Sequence, residues 1–146
     1  MKVLVFGTFD GVHDGHRAAL QQAKQHGQNL TVAVTPDLTA EKLKGHPPRQ
    51  NSAQRIQALK NEHLVDNVVL SDENPNTWSI LKKIKPDILA LGYDQLELKE
   101  SLENHLEALY PEVETEEGWQ RNPKKPTIVI LAPFKSDQLH NRFLQS

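Results

Sequence analysis

The 146-residue chain contains no cysteine. That excludes disulfides, zinc–thiolate sites, iron–sulfur clusters and any thiol nucleophile. It fits a reducing compartment, and a cytoplasmic location is expected. Long apolar runs are missing too: no stretch approaches the roughly 20 residues that a membrane span requires. Residues 1–6 pass directly into a polar turn containing glycine, without the longer apolar segment and small-residue cleavage site of an export signal. A soluble protein with no membrane partner is the expectation. An excess of charge is also absent. With 17 basic and 19 acidic residues the formal net charge is −2, so no overall field draws the chain onto nucleic-acid phosphates. No nucleic-acid partner is expected, although Lys42, Lys44, His46 and Arg49 form a local basic cluster fit for a small anion.

What remains is a chain with 37% hydrophobic residues, enough to bury a core. Its length fits one domain, since a single core commonly serves about 100–200 residues. We read residues 1–146 as a single domain. Apolar, β-branched runs predict strands over 2–6, 30–34, 68–70, 87–91 and 127–131. Helical spacing predicts helices over 14–26, from Ser52 through Lys60 with Ser52 as N-cap, over 76–85 and over 97–110. Residues 38–51 carry Gly45, Pro47 and Pro48 and read as a surface loop. Residues 111–126 read as a loop or small excursion, and 136–143 as a weak final helix. Strands alternating with helices make parallel βαβ units. The expected fold is α/β: a Rossmann-like, doubly wound, mostly parallel five-stranded sheet with helices on both faces. Ligands of such sheets bind beyond the carboxyl ends of the strands, where strand order reverses, so the turns after the first and fourth strands are the places to look for chemistry.

The turn after the first strand reads Gly7-Thr8-Phe9-Asp10-Gly11-Val12-His13-Asp14-Gly15-His16. Gly7 and Gly11 permit a tight turn and close approach of backbone to a ligand. The helix start presents N–H groups and a positive partial charge to an anion, and two imidazoles stand three residues apart. This is the outline of a phosphate site. It has neither the lysine and spacing of a P-loop nor the glycine pattern of a dinucleotide fingerprint. The bland alternative is a surface turn whose histidines merely cap the helix.

Gly7-Thr8-Phe9-Asp10 followed by His13-Asp14-Gly15-His16 resembles the signature of the cytidylyltransferase-like nucleotidyltransferases, whose HxGH motif is shared with class I aminoacyl-tRNA synthetases. The likeness extends to Lys42 and Lys44 before Gly45, to Arg55 at the opening of the next helix, and to Gly92-Tyr93-Asp94-Gln95 at the second nucleotide-contact turn. Within the family the chain is most similar to archaeal-type FAD synthases, on Leu91-Gly92-Tyr93-Asp94-Gln95, and next to glycerol-3-phosphate cytidylyltransferases. The family's Ser/Thr-rich motif near the C-terminus reduces here to Ser136, with Lys135 or Arg142 supplying charge.

The resemblance implies transfer of a nucleoside monophosphate from an NTP, ATP or CTP, to a small phosphorylated acceptor, with release of pyrophosphate and with Mg²⁺ as cofactor. It implies catalytic roles for His13, His16, Lys44 and Arg55. It implies nucleotide binding by Gly7, Thr8, Phe9, Asp10, Gly15, Lys42, Gly92, Asp94 and Ser136. No direct protein ligand to the metal is implied. Mg²⁺ rides on the phosphates, with Asp10 reaching it through water or else capping the helix. A homodimer is also implied. FMN adenylylation stands ahead of glycerol 3-phosphate cytidylylation, and a nucleotide-binding module without catalysis is the reading from another class. Trp119, in the polar excursion, either stacks on an acceptor ring or anchors its own loop.

Overall fold

The computed structural model describes residues 1–73 and 77–133. Along the chain lie β1 (Lys2–Gly7), α1 (Asp14–Lys24), β2 (Asn29–Val34), α2 (Asp37–Lys44), α3 (Ser52–Lys60), β3 (Asn67–Leu70), α4 (Ser79–Ile84), β4 (Ile88–Gly92), α5 (Leu96–Leu109), β5 (Val113–Thr115), β6 (Gly118–Gln120) and β7 (Thr127–Leu131). Five strands form one sheet in the order β3-β2-β1-β4-β7, and every neighbouring pair is parallel. The expected sheet is therefore present, and it is parallel throughout. Near-continuous apolar runs such as Val3-Leu4-Val5-Phe6, all buried, suit this arrangement because both faces of a parallel sheet are covered.

Side chains of successive strand residues point to opposite faces, so β1 divides between two cores. Val3 and Val5 pack with Leu20 and Ala23 of α1 and Leu59 of α3. Leu4 and Phe6 pack with Ile80 and Leu81 of α4 and Leu102 and Leu106 of α5. Each fully buried leucine contributes roughly 1.5–3 kcal/mol of transfer free energy. β1, the central strand, sits where strand order reverses: β2 and β3 extend the sheet on one side, and α4 carries the chain back to β4 on the other. The turns after β1 and β4 therefore open side by side at the carboxyl edge, as the fold class requires.

Local departures from the expectation have local causes. Residues 37–44 form a helix, not a loop. Asp37 lies in its first turn, and Gly45, at φ 79°, supplies the left-handed C-cap that a residue with a Cβ adopts at a cost. The N-cap of α3 is Asn51, whose side chain accepts from Gln54 N–H while Gln54 answers the Asn51 N–H, so Ser52 is already inside the helix. α4 is shorter than expected, and Trp78 precedes it in a left-handed conformation at φ 56°. The 111–126 excursion contains the β5–β6 hairpin, with Trp119 exposed on it. Asn76, the expected start of the fourth helix, and Ser136, Lys135 and Arg142 of the C-terminal segment lie outside the described residues. Among those described, no helix is long and apolar enough to cross a membrane.

Candidate active site

His13 is the N-cap of α1, with extended backbone at φ −134°. Its Nδ1 accepts the Gly15 N–H at 3.0 Å, and Nδ1 of His16 accepts the His13 N–H at 3.2 Å. Two histidines thus occupy the places that serine and glutamate take in an ordinary capping box. The tautomers follow, because a neutral imidazole whose Nδ1 accepts carries its proton on Nε2. The rings stack with centroids 3.8 Å apart. Burial, reinforced by the neighbouring His13 ring and by the charges of Lys44 and Arg17, pushes the His16 pKa down to about 4, with the Gly11 carbonyl acting in the opposite sense. His16 is consequently neutral near pH 7.

The turn that carries this pair is tied down at several points. Phe9 adopts φ 54° and is buried, its ring centroid 5.0 Å from that of His16. A Cβ on Gly7 would come within 2.5 Å of the Phe9 ring, so glycine is required where the ring folds over the end of β1. Asp10 accepts from the N–H groups of Arg49 at 2.8 Å and Gln50 at 2.9 Å. The Arg49 bond above all holds its carboxyl below the usual carboxylate range, against the effect of burial. Gln50 returns the contact, its Oε1 accepting from Gly11 N–H at 3.1 Å. Asp10 therefore joins the turn to the segment before α3 and does not cap α1.

Arg55 departs from its expected role. Its side chain has no exposure, and four donors are spent inside the chain: Nε on Gln50 O at 3.0 Å, Nη1 on Thr8 O and Thr35 O at 2.8 Å each, and Nη2 on Asp37 Oδ1 at 2.6 Å. The guanidinium binds together the turns after β1 and β2 and the loop before α3, which is a holding role and not a phosphate contact. The fixed fork of arginine donors suits this convergence of carbonyls. Asp37, hydrogen-bonded by that guanidinium, has its pKa lowered.

The turn after β4 is secured by Gln95, whose Oε1 accepts from Gly92 N–H at 2.6 Å and whose Nε2 donates to Phe6 O at 3.2 Å. This single side chain links the two turns flanking the switch point. Asp94 is exposed beside Gly92, where a Cβ would meet its Oδ1 at 2.9 Å. A cleft of about 800 Å³ opens between these turns and α2, with Gly7, Thr8, Asp94, Leu43, Leu96 and Trp78 among its walls. Lys42 and Lys44 lie exposed in the last turn of α2, where cations also complement the helix dipole. Lys44 is close enough to act on the titration of His16.

The structure therefore gathers His13, Gly15, His16, Gly7, Thr8, Phe9 and Asp10 in one turn. It sets Gly92 and Asp94 across the switch point and Lys44 within electrostatic reach. It withdraws Arg55 into the interior, and Ser136 lies outside the described residues. Sequence reasoning missed Asp37 and Gln50. Asp37 carried a signal, standing after Pro36 at a helix start, whereas Gln50 offered none. Trp78, read as helix packing, lines the cleft, while Trp119 does not.

The chain matches the cytidylyltransferase-like family over residues 4–132, and it belongs to that family. It is 41% identical over 95 residues to a Thermococcus sibiricus protein named FAD synthase, a match covering 65% of this chain and 64% of that one, so the shared segment spans less than two thirds of the relative. It is 36% identical over 108 residues to a protein of the same name from Methanohalophilus mahii, covering 73% and 72% of the two chains. Among solved structures it is similar to the lipopolysaccharide core biosynthesis protein from Thermoplasma volcanium. That likeness has a TM-score of 0.76 and 27% identity, and it covers 92% of this chain and 98% of that one.

Proposed function

We propose that this chain transfers AMP from ATP to the phosphate of FMN, forming FAD and pyrophosphate. The observation that carries the reading is the His13–His16 pair, fixed by hydrogen bonds at the head of α1 so that each ring carries its proton on Nε2. Similarity to the FAD synthases supports the choice of acceptor.

An oxygen of the FMN phosphate attacks the α-phosphorus, the bond from that phosphorus to the α–β bridging oxygen breaks, and its electron pair leaves with pyrophosphate. Because the acceptor phosphate is already anionic, no general base is needed. Catalysis rests on positioning and on stabilising charge that builds on the non-bridging and leaving oxygens. The Nε2–H groups of His13 and His16 donate to those oxygens, the α1 N-terminus adds its partial positive charge, and Lys44 supplies a full charge from α2. Thr8 and Gly15 contribute close polar contacts, and Asp94 contacts the nucleoside across the switch point. Mg²⁺ brought in on the triphosphate would neutralise the leaving group; both Asp10 oxygens already accept backbone N–H groups, so Asp10 would hold it only through water. The same reading expects a homodimer.

The test crosses ATP and CTP against FMN and glycerol 3-phosphate and measures pyrophosphate release with Mg²⁺. Release with ATP and FMN, lost in His16→Ala, is the expected result. Release with CTP and glycerol 3-phosphate alone would move the assignment to a cytidylyltransferase, and NTP binding with no release for any pair would leave a binding module.

A further inference from the structure

The carboxyl edge of the sheet is uneven. β1 pairs with β2 out to Gly7↔Val34, and β4 pairs with β7 out to Gly92↔Leu131, yet β1 and β4 part after Val5↔Ala90. Thr127 N–H donates to Asp87 O, so Asp87 faces β7 and, by alternation along β4, Ile88, Ala90 and Gly92 face β1. Continuing the β1–β4 register sets Gly92 opposite Gly7, and the next bond of a parallel ladder there runs from the Gly92 N–H to the Phe6 carbonyl. Both groups are engaged otherwise. Gly92 N–H donates to Gln95 Oε1 at 2.6 Å, and Phe6 O accepts from Gln95 Nε2 at 3.2 Å. One side-chain amide therefore occupies the missing rung, accepting on one side and donating on the other.

The chain places Gln95 for this. It stands at the N-cap of α5, but its side chain makes no cap bond. A backbone turn, closed by Gln95 N–H on Gly92 O at 3.0 Å, brings it back over the end of β4. Gly92 leaves it room, since a Cβ there would lie 3.4 Å from Gln95 Oε1. Few side chains could replace it. The bridge needs an acceptor and a donor on one planar group at this reach, which a primary amide presents and an ionised carboxylate does not. Asparagine is one methylene shorter.

We infer that Gln95 is a positioning residue for nucleotide binding: its amide, inserted as a spacer in the β1–β4 ladder, keeps the turn that carries Asp94 apart from the Gly7–Thr8 turn and holds the switch-point crevice open. The inference rests on the nucleotidyl-transfer reading above and adds what sets the width of its site. Gln95 acts through the two turns and not on the substrate. A direct rung would draw the strand ends to the ordinary spacing of about 4.8 Å, which leaves no room for a nucleotide between the turns.

Gln95→Ala removes the amide and lets the Gly92 N–H meet Phe6 O directly. Its urea midpoint should equal or exceed that of the unaltered chain, while its Kd for an ATP analogue with a methylene α–β bridge should rise about tenfold, the factor corresponding to about 1.4 kcal/mol. Gln95→Glu keeps the length and the acceptor but not the donor, and should also bind the analogue about tenfold more weakly. In turnover the KM for ATP should rise in both variants with kcat held within about threefold, the mark of lost binding that ground and transition states share. A side chain that merely stabilised the fold would lower the urea midpoint and leave KM in place. An unmoved Kd in both variants would overturn the inference. A lower urea midpoint in Gln95→Ala, whatever its affinity, would overturn it too, because the rung would not have closed. The titrations contain no acceptor, so failure of FMN to react would overturn the acceptor assignment alone, whereas failure of the unaltered chain to bind the analogue would remove the nucleotide reading and this inference together.

Discussion

His13 and His16 fix one another: the His13 N–H donates to Nδ1 of His16, and the two rings stack at 3.8 Å. Helix cap and phosphate-binding pair are thus one structure, and the two functions separate by substitution. His13→Asn retains a side chain that caps helices well but lacks the Nε2 donor. Its urea midpoint should stay near that of the unaltered chain while kcat falls about 10²–10³-fold, the usual loss for one such donor. His13→Ala should lose both the activity and about 1 kcal/mol of stability.

The low pKa of His16 sets a direction with pH. Folded, the ring protonates at about 4; unfolded, near 6.5. Between those values the unfolded chain binds the extra proton, so the contribution of His16 to stability is whole above about pH 6.5 and is lost as pH falls towards about 4. Thermal midpoints of the unaltered chain should therefore decline over that interval more steeply than those of His16→Asn, whose amide does not titrate. Parallel slopes would contradict the low value.

Arg55 should behave as a structural residue. Arg55→Ala leaves the carbonyls of Thr8, Thr35 and Gln50 without their donor and opens a cavity, at a cost of about 3–5 kcal/mol measured by denaturant unfolding. Arg55→Lys keeps the charge but not the fork of donors and should also destabilise. If either protein kept full stability and lost only activity, the assignment to phosphate would return.

Gly7→Ala places a Cβ within 2.5 Å of the Phe9 ring. Either Phe9 leaves its buried place or β1 shifts, costing about 1–3 kcal/mol. Because Phe9 packs on His16, the KM for ATP should rise with the loss of stability. Unchanged unfolding and kinetics would show the turn to be more compliant than its packing indicates.

The fold was legible where burial follows short-range pattern. β1, β2, β4 and β7 announce themselves as short apolar runs, and α5 as leucines at helical spacing, of which Leu102 and Leu106 are fully buried. α2 was misread because Gly45, Pro47 and Pro48 dominate its neighbourhood, although Asp37 and Gly45 are ordinary start and stop signals. The His13–His16 turn was legible because all its parts lie within ten residues of sequence. The fate of Arg55 was not. Its partners Thr8, Thr35 and Asp37 lie 47, 20 and 18 residues away, and only the closed fold shows that they converge. Gln95 bridging to Phe6 across 89 residues is hidden for the same reason. Trp78 was read as part of a helix, and its left-handed backbone and its place on the cleft wall emerge only once α4 is seen to begin after it.

Nucleotidyl transfer is tested by following the label. Purified protein is given FMN, Mg²⁺ and ATP carrying ³²P at either the α or the γ position, and the products are separated. Appearance of the α label in FAD, with the γ label in pyrophosphate and neither transfer in His16→Ala, is the predicted result. A γ label on the flavin, or no label leaving ATP when FMN is bound, would contradict nucleotidyl transfer at this site.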